Sequence, residues 1–146
     1  MPDDEVQNVL RFWFPQQLGS DYASQVRQLE WWFRGGADAA IAERFSVLLA
    51  QATQGELDHW SHEPQSRLAF ILVLDQFSRT LYKGTDRAFA QDAKARALTL
   101  QGLANGHYTA LVTPWEKTFF FLPLGHSEEL AHLELAVKLA EELVDH

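Results

Sequence analysis

An all-α fold of about seven helices follows from three observations on this 146-residue chain. Apolar residues recur at helical spacing through seven segments, no two-residue apolar–polar alternation is bounded by hairpin turns, and the loops between segments are short. Short loops make sequential helices antiparallel pairs. A chain of this length forms a single domain, 1–146, large enough to bury about 68–70% of the surface its unfolded form exposes.

Val6, Val9, Leu10 and Trp13 mark the first helix, entered at Asp4 with Gln7 three residues on and stopped at Pro15. Tyr22, Val26, Leu29 and Phe33 line a second, closed by Gly35-Gly36. Ile41, Phe45, Leu48, Leu49 and Ala52 line a third, capped by Asp38 and stopped at Gly55. A loop from Glu56 to Glu63 then leads into the stretch around which the chain is organised.

That stretch is Leu68 to Leu74, an unbroken apolar run that passes into Asp75-Gln76-Phe77-Ser78-Arg79-Thr80-Leu81-Tyr82-Lys83-Gly84. The run alone suits a buried strand as well as a helix. Phe70, Leu74, Phe77 and Leu81, at i, i+4, i+7 and i+11, carry one apolar line beyond it, as only a helix does. Pro64 suits the first turn and Gly84 the stop. At about 100° per residue, Asp75, Arg79 and Tyr82 fall within roughly 60° of one another beside the apolar line. The central helix therefore ends in a polar seam.

Thr85 or Asp86 caps a fifth helix through Phe89, Ala93, Ala97, Leu100 and Ala104, ending near Asn105-Gly106. Thr113-Pro114-Trp115-Glu116 is a capping box with proline at the first helical position, opening a short sixth helix with Phe119, Phe120 and Phe121 that stops at Pro123. Ser127 caps the last helix, Glu128 and Glu129 suit its positive end, and Leu130, Leu133, Val137, Ala140 and Val144 form its inner face. No 34-residue consensus repeats along the chain.

A formal net charge of −8 argues against nucleic acid as a partner, because sequence-independent binders neutralise phosphates with a basic face. No apolar stretch approaches a membrane span and the acidic N-terminus is unlike a signal peptide, so a cytoplasmic protein with no membrane partner is expected. Charge is unevenly placed. Asp75 to Arg96 holds five bases and three acids, whereas the chain from Glu128 holds six acids and one lysine. The first of these stretches reads as ordinary helix surface with pairs such as Asp92 to Arg96, or as a small basic mouth for an anion.

The run from Leu74 to Thr85, the following Arg87 to Ala93, and Glu116 with Leu122-Pro123-Leu124-Gly125-His126-Ser127-Glu128 resemble the bacterial "domain of unknown function 924" family. With Trp32-Phe33 and Arg44-Phe45 the resemblance covers nearly the whole chain. It implies a tetratricopeptide-like, right-handed stack of antiparallel helix pairs, and no assigned activity. Ser78, Thr80 and Lys83 depart from the family's usual proline, asparagine and arginine. Members usually continue to a further arginine-rich, phenylalanine-containing motif, so this chain is either a short member or a truncated one; where that segment packs against the central helix, its absence is expected to leave exposed apolar surface or self-association as a homo-oligomer.

The ligand-binding residues expected are Asp75, Gln76, Arg79, Tyr82 and Lys83 on the central helix, with Glu116, His126, Ser127 and Glu128. Asp75 and Arg79 stand one turn apart in the favourable order for an ion pair. The Ser127 helix start offers free N–H groups to an anion. These residues fit a helical binding module for a small anion or acidic peptide. The alternative is a small hydrolase or lyase-like enzyme using Asp75 or Glu116 with His126 as acid and base. Ser127 and His126 lack the Gly-x-Ser-x-Gly elbow of a serine hydrolase, and no catalytic residue is assigned. His59 and His62 with Asp58 and Glu63 sit in a loop without zinc-site context, and phosphate-loop and dinucleotide fingerprints are absent; no metal or cofactor is expected.

Overall fold

A computed structural model describes residues 2–14 and 21–144. Seven α-helices, with no strand among the described residues, make up the fold. They are α1 (Pro2–Trp13), α2 (Tyr22–Phe33), α3 (Asp38–Thr53), α4 (64–81), α5 (Asp92–Asn105), α6 (Pro114–Gly125) and α7 (Leu130–Val144), with 3₁₀ turns at Asp58–His62 and Asp86–Phe89. Helix α4 is itself composite. An α-helical segment, Pro64–Leu72, opens into a π turn, Val73–Phe77, and closes as Ser78–Leu81.

Helix α4 is the axis of the molecule because its apolar run is buried from every side. Leu68, Ala69, Ile71, Leu72, Val73, Leu74 and Phe77 are wholly inaccessible. Helices α1, α3, α5 and α6 pack around α4, and α7 packs on α6. Between α1, α2 and α6 lies an aromatic cluster. Trp32 stands 4.8 Å from Trp115 and 4.9 Å from Phe119, and Trp13 lies 5.7 Å from Trp31. The indole N–H of Trp32 donates to the Trp13 carbonyl (2.9 Å), satisfying one of the free acceptors at the end of α1.

Several element boundaries agree with the sequence. Pro64 opens α4, Gly55 and Gly106 take the left-handed conformation just beyond α3 and α5, and both halves of the Thr113–Glu116 capping box are made. Others differ. Helix α1 begins at Pro2, so Asp4 lies within its first turn; the Pro15 stop falls outside the described residues. Asp38 is the first residue of α3 and its cap, Ala37, makes no side-chain bond. The fifth segment divides into the 3₁₀ turn and α5. Helix α6 runs through Pro123 to Gly125 rather than stopping at the proline, although Pro123 has no N–H to give the Phe119 carbonyl.

Three helices bury a different face from the one their apolar spacing suggests. In α2 the buried ring is Trp32, while Tyr22 and Phe33 are exposed. In α5 the inward line is Ala95, Leu98, Thr99 and Gly102. Small residues win there because α6 comes so close that a Cβ on Gly102 would overlap the ring of Phe120, and the Thr99 hydroxyl donates to the Phe120 carbonyl (2.6 Å). In α7, Leu139 is buried with Leu135, Ala136 and Leu143 packed beside it, so Leu130, Val137, Ala140 and Val144 of the expected inner line turn outward and Leu133 is half-buried.

One buried cation holds the start of α4. Arg67 is 4% exposed and its guanidinium meets only neutral acceptors: His107 Nδ1 (2.9 Å), the Leu98 carbonyl (2.8 Å) and the Ser61 carbonyl (2.8 Å). Burial, and then the neighbouring Arg67 charge, hold the His107 pKa below its usual 6.5. A folded-state pKa below the unfolded one means that the fold favours neutral His107, so this contribution is complete above about pH 6.5 and is lost as pH falls through the depressed value. Urea unfolding should therefore show a loss of stability between pH 7.5 and pH 5. That loss should shrink in His107→Gln, whose amide oxygen still accepts from Arg67; an unchanged pH dependence would remove His107 from the account.

Candidate functional site

Asp75 sits inside the protein, within the π turn of α4. The turn belongs to the stretch of α4 that is covered on every side, and the Asp75 side chain is 1% exposed. A carboxylate there needs donors on every lone pair it can satisfy. Gln76 Nε2 donates to Oδ2 (2.8 Å), and Arg79 Nη1 (2.8 Å) and His126 Nδ1 (2.9 Å) both meet Oδ1. Because a carboxylate only accepts, His126 carries its hydrogen on Nδ1, leaving Nε2 as the free ring nitrogen. The His126 side chain is 26% exposed.

Arg79 extends the network to α5. Its two terminal nitrogens bond the two oxygens of Asp92 at 2.8 and 2.9 Å, a bidentate pair, while Nη1 also reaches the Asp75 carbonyl (3.1 Å). Phe89 stands 5.3 Å from the guanidinium carbon. Asp92 thus belongs to Arg79 and makes no i, i+4 pair with Arg96. Spacing rules could not find it, although the family resemblance included its segment.

The structure brings Asp75, Gln76, Arg79 and His126 together, keeps Lys83 on one pocket wall with Gln76 and Arg79, and separates Glu116, Ser127 and Glu128 from the Asp75 network. Tyr82 ends α4 with Arg87 stacked 3.9 Å over its ring. Lys83 is largely exposed and pairs loosely with Asp38 at 3.7 Å. Glu116 bonds the Thr113 N–H and hydroxyl at the start of α6, ten residues or about 15 Å of helix from His126, and is therefore not part of the Asp75 cluster. Ser127 does not cap the last helix as the sequence suggests, because α7 begins three residues later; its hydroxyl accepts from the Glu129 N–H (3.1 Å) and bonds His132 Nδ1 (2.8 Å). Glu129 approaches that same His132 nitrogen at 3.5 Å, so no relay through opposite ring nitrogens is formed. Glu128 is exposed beside it.

A pocket of about 180 Å³ opens over the end of α4, with Gln76, Arg79, Thr80 and Lys83 on one wall and Trp32, Phe33 and Asp38 from α2 and α3 completing it. Counting Asp38 and Asp92 with Asp75 against Arg79 and Lys83, the charged groups come to a net −1 with the histidine neutral. Of the five bases in the local sequence only Arg79 and Lys83 line the pocket, and α3 adds the acid Asp38 beside them. Lys83 remains the cation most open to a ligand, and Arg79 offers only the N–H groups that Asp75 and Asp92 leave.

The family model described as "Bacterial protein of unknown function (DUF924)" matches residues 9–146. A solved structure of a protein of unknown function from Agrobacterium tumefaciens is similar over 98% of this chain and 76% of that one, with a TM-score of 0.80 and 30% sequence identity. No curated protein matches the chain.

Removing one partner of a buried pair strands the other charge, so Arg79→Met should cost about 3–5 kcal/mol in urea unfolding. Asp75→Leu combined with Arg79→Met should cost much less than the sum of the two single changes. Additive losses would mean that the two side chains do not act as a pair.

Proposed function

The chain belongs to the DUF924 family of bacterial proteins of unknown function, and from its geometry we propose that it is a helical binding module for a small anion or the carboxylate end of an acidic peptide. The observation that carries this reading is the pocket over the end of α4, where the open ammonium of Lys83 and the outer edge of Arg79 share a cavity with Trp32 and Phe33. An open pocket of about 180 Å³ has room for one anionic group with a short apolar portion. The scaffold proposed with it is one domain, a right-handed tetratricopeptide-like stack, which fits the packing of α6 against both α5 and α7.

A thermal-shift screen against phosphate, small carboxylates and acidic peptides tests the reading. A ligand at 100 times its dissociation constant adds about 2.7 kcal/mol, or roughly 5–10 °C for a domain of this size. The shift should vanish in Lys83→Met, an exposed change that leaves the Asp75 network intact. A shift that survives in the variant, or none with any ligand, would remove the pocket as an anion site.

One contact favours a second reading, a small hydrolase or lyase-like enzyme. His126 is oriented through Nδ1 by a buried carboxylate and keeps Nε2 free, the arrangement of a general acid–base histidine. Glu116 has no part in it. Hydrolysis of activated ester and phosphate substrates that falls by about 10²–10⁴-fold in a folded His126→Asn variant would support this reading; activity indifferent to the change would end it.

A further inference from the structure

The pocket over the end of α4 holds an acceptor that a plain anion leaves unused. Gln76 is only 9% exposed, yet it lines that pocket. Its amide is oriented from behind: the buried Asp75 carboxylate can only accept, so it takes Nε2 (2.8 Å) and fixes which corner of the amide is oxygen. Oε1, the opposite corner, receives no hydrogen bond from the described residues and is not sealed from solvent. An oriented acceptor of this kind calls for an N–H. Asp38, the first residue of α3, adds a second acceptor to the same pocket. Its carboxylate stands 3.7 Å from Lys83 Nζ and 3.5 Å from Thr80 Oγ1, too far for a strong bond to either, so both charges keep capacity for a ligand.

Charge balance selects the ligand. A plain anion satisfies Lys83 and Arg79 alone, and it enters a set of charged groups that already sums to −1. A molecule with an ammonium beside its carboxylate satisfies the acceptors as well and brings no net charge. Resting on the anion pocket proposed above, we infer that its ligand is a free α-amino acid with a short apolar side chain. The carboxylate meets Lys83 and the outer edge of Arg79, the ammonium meets Asp38 and Gln76 Oε1, and the side chain lies against Trp32 and the half-exposed ring of Phe33. Helices α2, α3 and α4 and the turn at Gly35 supply the described lining, and no residue of α7 borders it.

Titration calorimetry on the full chain tests this with L-valine and L-leucine, with N-acetyl-L-leucine, which keeps the carboxylate and loses the cation, and with isopentylamine, which keeps the cation and loses the carboxylate. An amino acid should bind, and each trimmed analogue should bind at least about tenfold more weakly, since each forfeits a hydrogen bond between charges. Asp38→Asn should weaken the amino acid about tenfold or more and leave N-acetyl-leucine unchanged or tighter, whereas Lys83→Met should weaken both. The comparison of analogues needs no variant, so it decides the matter even if Asp38→Asn fails to fold. N-acetyl-leucine binding as tightly as leucine, and lost in Lys83→Met, would overturn the amino-acid assignment and leave the anion reading standing. Amino-acid binding indifferent to Asp38→Asn, or none while phosphate binds, would do the same; no binding by any of these probes or by phosphate would remove both.

Discussion

A carboxylate with no path to water must be met by donors, and Asp75 is met from three directions. Each donor fixes a different piece of the fold. Gln76 lies beside Asp75 in the π turn, Arg79 ties the turn to α5 through Asp92, and His126 ties it to the end of α6. Without those bonds a buried charge of this kind costs several kcal/mol, a large share of a typical domain's net stability. The packing of three helices therefore depends on one oxygen pair being satisfied.

Arg67 is the complement at the other end of α4. It lies eight residues from Asp75, about 12 Å along the helix. Its charge has no acidic partner among the described residues and is spread over backbone carbonyls and a neutral histidine. Hydrophobic burial alone is indifferent to how far one helix slides along another, whereas two directional polar clusters are not. Arg67 reaches the Leu98 carbonyl and Arg79 reaches Asp92, both on α5, so the two anchors hold α5 at a single axial position against α4.

The parts of the fold that obey local rules were legible in the sequence. The unbroken run from Leu68, Pro64 at its start, the glycines beyond α3 and α5, and the Thr113–Glu116 box each act through neighbours a few residues away. So does the Asp75–Arg79 pair. Choices between faces were not legible, because apolar content does not say which side of a helix another helix will approach. Close approach in α5 favours Gly102 over the larger Leu100, and α7 has two stripes of similar hydrophobicity. The site fared likewise. Asp38 and Asp92 neutralise cations distant in sequence, and Asp75 is buried because helices cover α4 on every side, which spacing within α4 does not report.

Trp13, Trp31, Trp32 and Trp115 form one connected group of rings with Phe12 and Phe119, while Trp60 stands apart against Phe70. Indoles this close exchange excitation energy faster than they emit. The intrinsic fluorescence of the chain is then not a sum of independent reporters: the grouped four respond as one chromophore to the seating of α1 and α2 on α6, and Trp60 alone reports on the base of α4. A disturbance confined to either region would be readable by colour.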